Sequence, residues 1–158
     1  ANFNAPGQVV IAGATRAVDA AVEACRERGA RRAVPLPVSA PFHSPLMAPA
    51  RAGLAPHLDG LTFHDLRVPL YRNVDAVPVH TGDDVRQGLV SQVDAPVLWS
   101  AIVRRLVTEG FDTFLEVGTG GVLCGLVKRH FREAVCRPAG TAEAVQTTIE
   151  ALTGGGRG

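Results

Sequence analysis

The chain is short of cysteine, aromatic residues, net charge and long apolar runs, and each shortage removes a class of function. Three cysteines, Cys25, Cys124 and Cys136, stand far apart with no Cys-x-x-Cys spacing. An odd, scattered set argues against a disulfide framework and against a zinc site. It predicts buried thiols in a reducing compartment. Aromatic residues make up 5% of the chain, and no basic stripe is interleaved with them, which speaks against a nucleic-acid surface. A formal net charge of +1 supplies no field to draw in nucleic acid or an anionic membrane. No apolar run approaches the roughly 20 residues needed to cross a bilayer, and no signal peptide is visible. These absences predict a cytoplasmic protein with neither nucleic acid nor membrane as partner. Met47 is the only methionine and Ala1 the first residue, so Ala1 reads as a processed or engineered end, or as the edge of a longer sequence.

What is present fits an ordinary α/β protein. The apolar share is 46% and the charged share 20% of 158 residues, enough for a domain with a hydrophobic core. Gln8 to Ala12 reads as a short buried strand bounded by Pro6-Gly7 and Gly13. Thr15 is a candidate N-cap for a helix on which Ala17, Val18, Ala21, Val22 and Cys25 recur at helical spacing. Arg31 to Leu36 is a second strand candidate. Ser44-Pro45 has the form of an N-cap and first helical turn, with Leu46, Met47, Ala50 and Leu54 as the buried face. Pro49 predicts a short or kinked start to that helix. Val68 to Tyr71 is a strand candidate, and Val85, Leu89 and Gln92 share a helical face. Trp99, Ile102, Val103, Leu106 and Val107 mark a stronger helix ending at Gly110. Thr113 to Val117 reads as a buried strand that turns through Gly118-Thr119-Gly120-Gly121 into a helix bearing Val122, Leu123, Leu126 and Val127. A last helix is expected over Thr141 to Leu152, and the Gly-rich tail is expected to be disordered.

Few motifs carry chemistry. The glycine turn at 118–121 sits where a dinucleotide fingerprint would, but its third glycine would fall at Leu123. It is better read as a tight strand-to-helix turn. No GxSxG nucleophile elbow occurs. His57, His64, His80 and His130 show no metal-ligand spacing and read as surface residues, so no metal is expected. His43 stands apart in Val38-Ser39-Ala40-Pro41-Phe42-His43-Ser44-Pro45, just before a helix start. A histidine there suits a general base, although the residues alone favour a structural role.

Five stretches occur in order: Asn2-Phe3-Asn4-Ala5-Pro6-Gly7-Gln8-Val9-Val10-Ile11-Ala12-Gly13, Pro35-Leu36-Pro37-Val38-Ser39-Ala40-Pro41-Phe42-His43, Asn73-Val74-Asp75, Pro96-Val97-Leu98-Trp99, and Glu116-Val117-Gly118-Thr119-Gly120-Gly121-Val122-Leu123. Together they resemble the C-terminal half of the malonyl-CoA:acyl-carrier-protein transacylases of fatty-acid synthesis. The resemblance implies an α/β fold made of part of an α/β-hydrolase-like large subdomain and the second half of a small ferredoxin-like subdomain. On that mapping residues 1–36 belong to the small subdomain, 37–152 to the large one, and 153–158 to a flexible tail. It further implies Ser-His ping-pong transfer of malonyl from malonyl-CoA to the phosphopantetheine thiol of acyl carrier protein, with no cofactor. His43 would be the base. In the family main-chain carbonyls hold that ring, and Asn73 and Gln92 match the positions implicated; Phe42 matches a position limiting room for an α-methyl branch, and Asn4 a position along the pantetheine channel.

The family's serine segment, oxyanion donors and carboxylate-binding arginine have no counterpart here, so the resemblance implies a missing N-terminal half and no activity for the chain alone. The family's usual Gly-Pro-Gly-Lys turn reads Gly-Thr-Gly-Gly. Two alternatives remain: a fragment of a polyketide synthase acyltransferase domain, and a non-catalytic remnant that binds acyl carrier protein.

Overall fold

The computed structural model describes residues 1–153. It is a mixed α/β structure whose chain divides into two compact units, residues 1–4 with 8–102, and residues 5–7 with 103–158. The Gly-rich stretch expected to be a flexible tail lies, beyond Thr153, outside the described residues.

In the first unit, β1 (Asn2–Ala5, its last residue assigned to the second unit) pairs with β2 (Gln8–Val10) around a Pro6-Gly7 turn. β2 is shorter than expected, and β1 was not anticipated. The main chain of β1 also meets Val97, whose carbonyl accepts from the Phe3 N–H at 2.9 Å. Helix α1 (Thr15–Glu27) begins at Thr15 itself, with Ala14 as an N-cap that offers no side-chain bond. Its apolar stripe is not sealed: Val18, Ala21 and Val22 are half-buried, and Ala17 and Cys25 are exposed. Residues 31–36 form no strand, because no ladder partner pairs with them among the described residues.

Pro45–Met47 makes a single 3₁₀ turn that leads into α2 (Ala48–Asp59). Pro49 falls in the first turn of α2, where a missing N–H costs nothing, which explains the broken start. The expected buried face is not sealed: Leu46 and Ala50 are exposed, Met47 and Leu54 are half-buried, and neither the 3₁₀ turn nor α2 buries a residue. Strand β3 (Leu70–Tyr71) is half the expected length and pairs antiparallel with β4 (Pro78–Val79), around a turn that holds Asn73.

Helix α3 (Gly82–Ser91) is started by Thr81, whose hydroxyl oxygen accepts from the Asp84 N–H at 3.2 Å. Its first residue must be glycine for steric reasons: an added Cβ would lie 2.3 Å from the Phe63 carbonyl oxygen. Arg72 fastens the β3–β4 turn by pairing with Asp75. Burial opposes ionisation of Asp75, but the Arg72 hydrogen bond and the Val77 N–H outweigh it and hold the carboxyl below its usual range.

Helix α4 (Trp99–Thr108) follows the expected periodicity, and the boundary between the units falls between its buried Ile102 and Val103. The second unit is a β-α-β arrangement. β5 (Thr113–Val117) pairs in parallel with β6 (Val135–Ala139), with α5 (Val122–His130) between them in sequence and α6 (Ala142–Thr153) after them. Val103, Val127 and Leu126 are the largest aliphatic side chains it buries. β5 was expected to be buried, yet the only buried residue on it is Glu116, while Val117 is 84% exposed. Leu115 and Val117 share the face opposite Glu116 and stand open.

Candidate active site

The residues singled out from sequence all belong to the first unit. Helix α3 ends at Ser91, so its last carbonyls lack intrahelical partners. The carbonyl of Gln92, the C-cap residue, is thereby free, and it lies 2.9 Å from Nδ1 of His43. A carbonyl can only accept, so Nδ1 carries the proton. In the neutral ring, Nε2 is then an unprotonated acceptor, which is the form a general base requires.

The segment carrying His43 is held at both ends. Ser44 stands at the N-cap, as Ser44-Pro45 predicts, but its hydroxyl makes no cap bond. It donates instead to the Pro41 carbonyl at 2.7 Å, across Phe42 and His43, and Ser44 is buried. The Phe42 N–H reaches the Ala40 carbonyl at 2.9 Å. Between these ties His43 adopts φ +57, a left-handed conformation that costs a non-glycine residue roughly 1–2 kcal/mol. The strain persists because the Ser44 and Gln92 contacts fix both the backbone and the ring. Ser44 is a positioning residue that sequence reasoning missed; only its place beside His43 hinted at it.

Asn73 joins from the β3–β4 turn. Its Nδ2 donates to Oε1 of Gln92 at 3.4 Å, and its carbonyl accepts from the Leu98 N–H at 2.8 Å. His43, Gln92 and Asn73 thus form one hydrogen-bonded chain, with the Gln92 main chain touching the imidazole and its side chain touching Asn73. Arg51 on α2 reaches Asp94, two residues past Gln92, at 3.3 Å. An exposed pair of this kind adds little stability. Phe42 immediately precedes His43 and is 46% exposed. Asn4 lies on β1, a separate element of this unit.

The other signals have structural roles. The glycine turn is a tight strand-to-helix connection, with Gly118 at φ +132 and Gly120 at φ +103. The amides a phosphate would use are already engaged: the Glu116 carboxylate accepts from the N–H groups of Leu123 at 3.0 Å and Cys124 at 2.8 Å. These backbone donors hold the Glu116 carboxyl below its usual range, against the opposing effect of burial. His57, His64 and His80 are exposed and His130 is half-buried. Among the described residues no group of three or more His, Cys, Asp or Glu could hold a metal, and no helix is long and apolar enough to cross a membrane.

The cysteines depart furthest from expectation. Cys124 and Cys136 are joined as a disulfide with their Cα atoms 5.3 Å apart, and Cys25 is free and exposed rather than buried. The odd count misled because it is one pair plus a bystander, and the pairing of a helix residue with a strand residue has no spacing signature.

No protein-family model matches the chain. It is 40% identical over 152 residues to the malonyl CoA-acyl carrier protein transacylase of Bacillus subtilis, which covers 96% of the chain and 48% of that protein. The relatives of this chain are malonyl-CoA:acyl-carrier-protein transacylases. The crystal structure of the acyl-carrier-protein S-malonyltransferase of Bartonella henselae superposes with a TM-score of 0.92 at 38% identity, covering 97% of the chain and 49% of that enzyme. A malonyl-transacylase solved in complex with a type II polyketide synthase acyl-carrier protein gives 0.88 at 41% identity, covering 97% and 48%. The chain spans about half the length of the transacylases it matches.

Proposed function

We propose that the chain is the histidine-bearing, C-terminal half of a malonyl-CoA:acyl-carrier-protein transacylase. In this reading, it supplies the general base for Ser-His ping-pong transfer of malonyl from coenzyme A to the carrier protein's phosphopantetheine thiol, in the cytoplasm and without a cofactor. The observation that carries the proposal is the hydrogen bond from His43 Nδ1 to the Gln92 carbonyl, which leaves Nε2 to accept the serine proton. Gln92 orients the ring through its main chain, and Asn73 steadies Gln92 through its side chain. Phe42 restricts branching at the malonyl α-carbon, and Asn4 borders the pantetheine arm. The open apolar face bearing Leu115 and Val117 supports a further layer supplied by the missing N-terminal half, together with the serine. Residues 1–36 and 37–152 then complete the small and large subdomains of the whole enzyme.

The test is reconstitution. The chain is co-expressed with the N-terminal half of a transacylase relative and assayed for malonyl transfer to holo acyl carrier protein. Transfer is expected from the pair and not from the chain alone. His43→Ala is expected to lower turnover about 10³-fold or more. Equal transfer by His43→Ala would overturn the assignment of the base, and transfer by the chain alone would overturn the need for a second half.

A further inference from the structure

Unit two contains a cysteine pair that the transfer chemistry does not use. Cys124 is the third residue of α5, and Cys136 is the second residue of β6. Their bond pins the first turn of the helix to the strand that pairs with β5, where Cys136 lies beside Phe114 in the ladder. The same turn is held from β5 by Glu116, which accepts the Leu123 and Cys124 N–H groups. The glycine turn between β5 and α5 is therefore clasped twice, once by a carboxylate and once by a covalent bond. Gly140, just past β6, packs so tightly against Gly118 that an added Cβ would stand 2.2 Å from the Gly118 carbonyl oxygen.

The two sulfurs are unequally placed. Cys124 is 8% exposed. Cys136 is half-buried and lines a cleft of about 420 Å³ beside Arg137, Thr141, Glu143 and Thr148. That cleft gives a small thiol a route to Cys136, whereas the more deeply buried Cys124 is not among the residues that line it.

We propose that Cys124 and Cys136 are a redox modification site: a reversible thiol–disulfide couple that exchanges with low-molecular-weight thiols at Cys136 and sets the rigidity of the first turn of α5, where the chain leaves the glycine turn. In the oxidising direction the Cys136 thiolate attacks a small disulfide and breaks its S–S bond. One small thiol leaves, taking up the proton that Cys136 gave up. The Cys124 thiolate then attacks the Cys136 sulfur and displaces the second small thiol, which takes up the Cys124 proton. Two electrons pass from the protein to the small disulfide, and reduction runs the same steps backwards. A couple of this kind is compatible with a reducing compartment, where disulfides are transient rather than structural.

The test uses the full chain carrying Cys25→Ser, so that only the pair can react. The protein is equilibrated in native buffer with defined ratios of reduced to oxidised glutathione, quenched, alkylated and weighed intact. Oxidising mixtures are expected to leave no alkylated cysteine and reducing mixtures two, with the same curve approached from either side. Amide exchange over residues 122–125 is expected to quicken about tenfold on reduction, and Tm to fall by about 6–10 °C. Cys136→Ser is expected to show the reduced exchange rate in every mixture; should that variant not fold, the reduced two-cysteine protein reports the same state.

Two alkylated cysteines in every mixture would overturn the proposal, because the bond would not form. A bond that yields to glutathione only after denaturation would overturn it too, since the cleft would not admit exchange. So would exchange rates at residues 122–125 that ignore the redox state.

Discussion

The two units place their polar groups to opposite ends. In the first, the main chain serves a side chain: the free carbonyl at the end of α3 accepts a hydrogen bond from Nδ1 of His43, and left-handed strain at His43 is held by Ser44 and Gln92. In the second, a side chain serves the main chain: Glu116 is buried to satisfy the first amides of α5. One arrangement leaves an imidazole nitrogen available for chemistry, and the other leaves nothing available and closes a turn. A polar residue near a helix end is therefore no guide to function until its partner is known. What matters is whether the contact uses up the reactive atom or frees it.

Three substitutions test this contrast, beyond the loss of turnover expected for His43→Ala. The largest effect on stability is expected from Gly82→Ala, in the first unit. Its Cβ would meet the Phe63 carbonyl oxygen at 2.3 Å, so backbone has to shift at the start of the helix whose far end holds Gln92. A loss of about 3 kcal/mol in urea unfolding is expected, together with disturbance of the His43 Nδ1 proton resonance. An undisturbed resonance would separate the α3 position from the orientation of His43.

Val127→Ala, in the second unit, removes two methyl groups from a side chain that is 2% exposed. It is expected to cost about 2 kcal/mol and to leave that resonance in place.

The smallest effect is expected from Glu116→Gln, and it should depend on pH. The folded-state pKa of Glu116 lies below its ordinary value. Its charge therefore contributes stability that is fully present above the unfolded glutamate value, about 4.3, and is lost as pH falls through the folded value. Melting curves of the parent and the variant should differ at neutral pH and converge on acidification. A gap that stays constant down to pH 3 would mean that the carboxylate charge is not what holds the α5 turn.

Much of the helical framework was legible because long amphipathic segments carry their own period. Trp99, Ile102, Val103, Leu106 and Val107 located α4, and Thr113–Val117 located β5 to the residue. Short strands were not legible. β1, β4 and β6 carry weak patterns of their own and exist through their partners, while residues 31–36 look like a strand and lack one among the described residues. Burial was the least legible property. TFLEV reads as a buried strand, but the residues alone could not say that Glu116 would face inward and Val117 outward.

Of the site, the sequence marked His43, Asn73 and Gln92 as separate points in order along the chain. It also marked Pro49 as the reason α2 starts late, since proline constrains its own backbone wherever it stands. By itself, the sequence determined what local covalent structure and periodicity determine: the helices, the glycine turn, the absence of a nucleophile elbow, and the order of motifs that ties the chain to transacylases. Only the tertiary structure decided that Gln92, and not Asn73, presents its carbonyl to His43, that the Ser44 hydroxyl reaches back to Pro41 from its N-cap position, and that Cys124 meets Cys136. Each of these joins atoms on different turns, helices or strands. Their distance is set by how the elements pack, and no spacing along the chain encodes it.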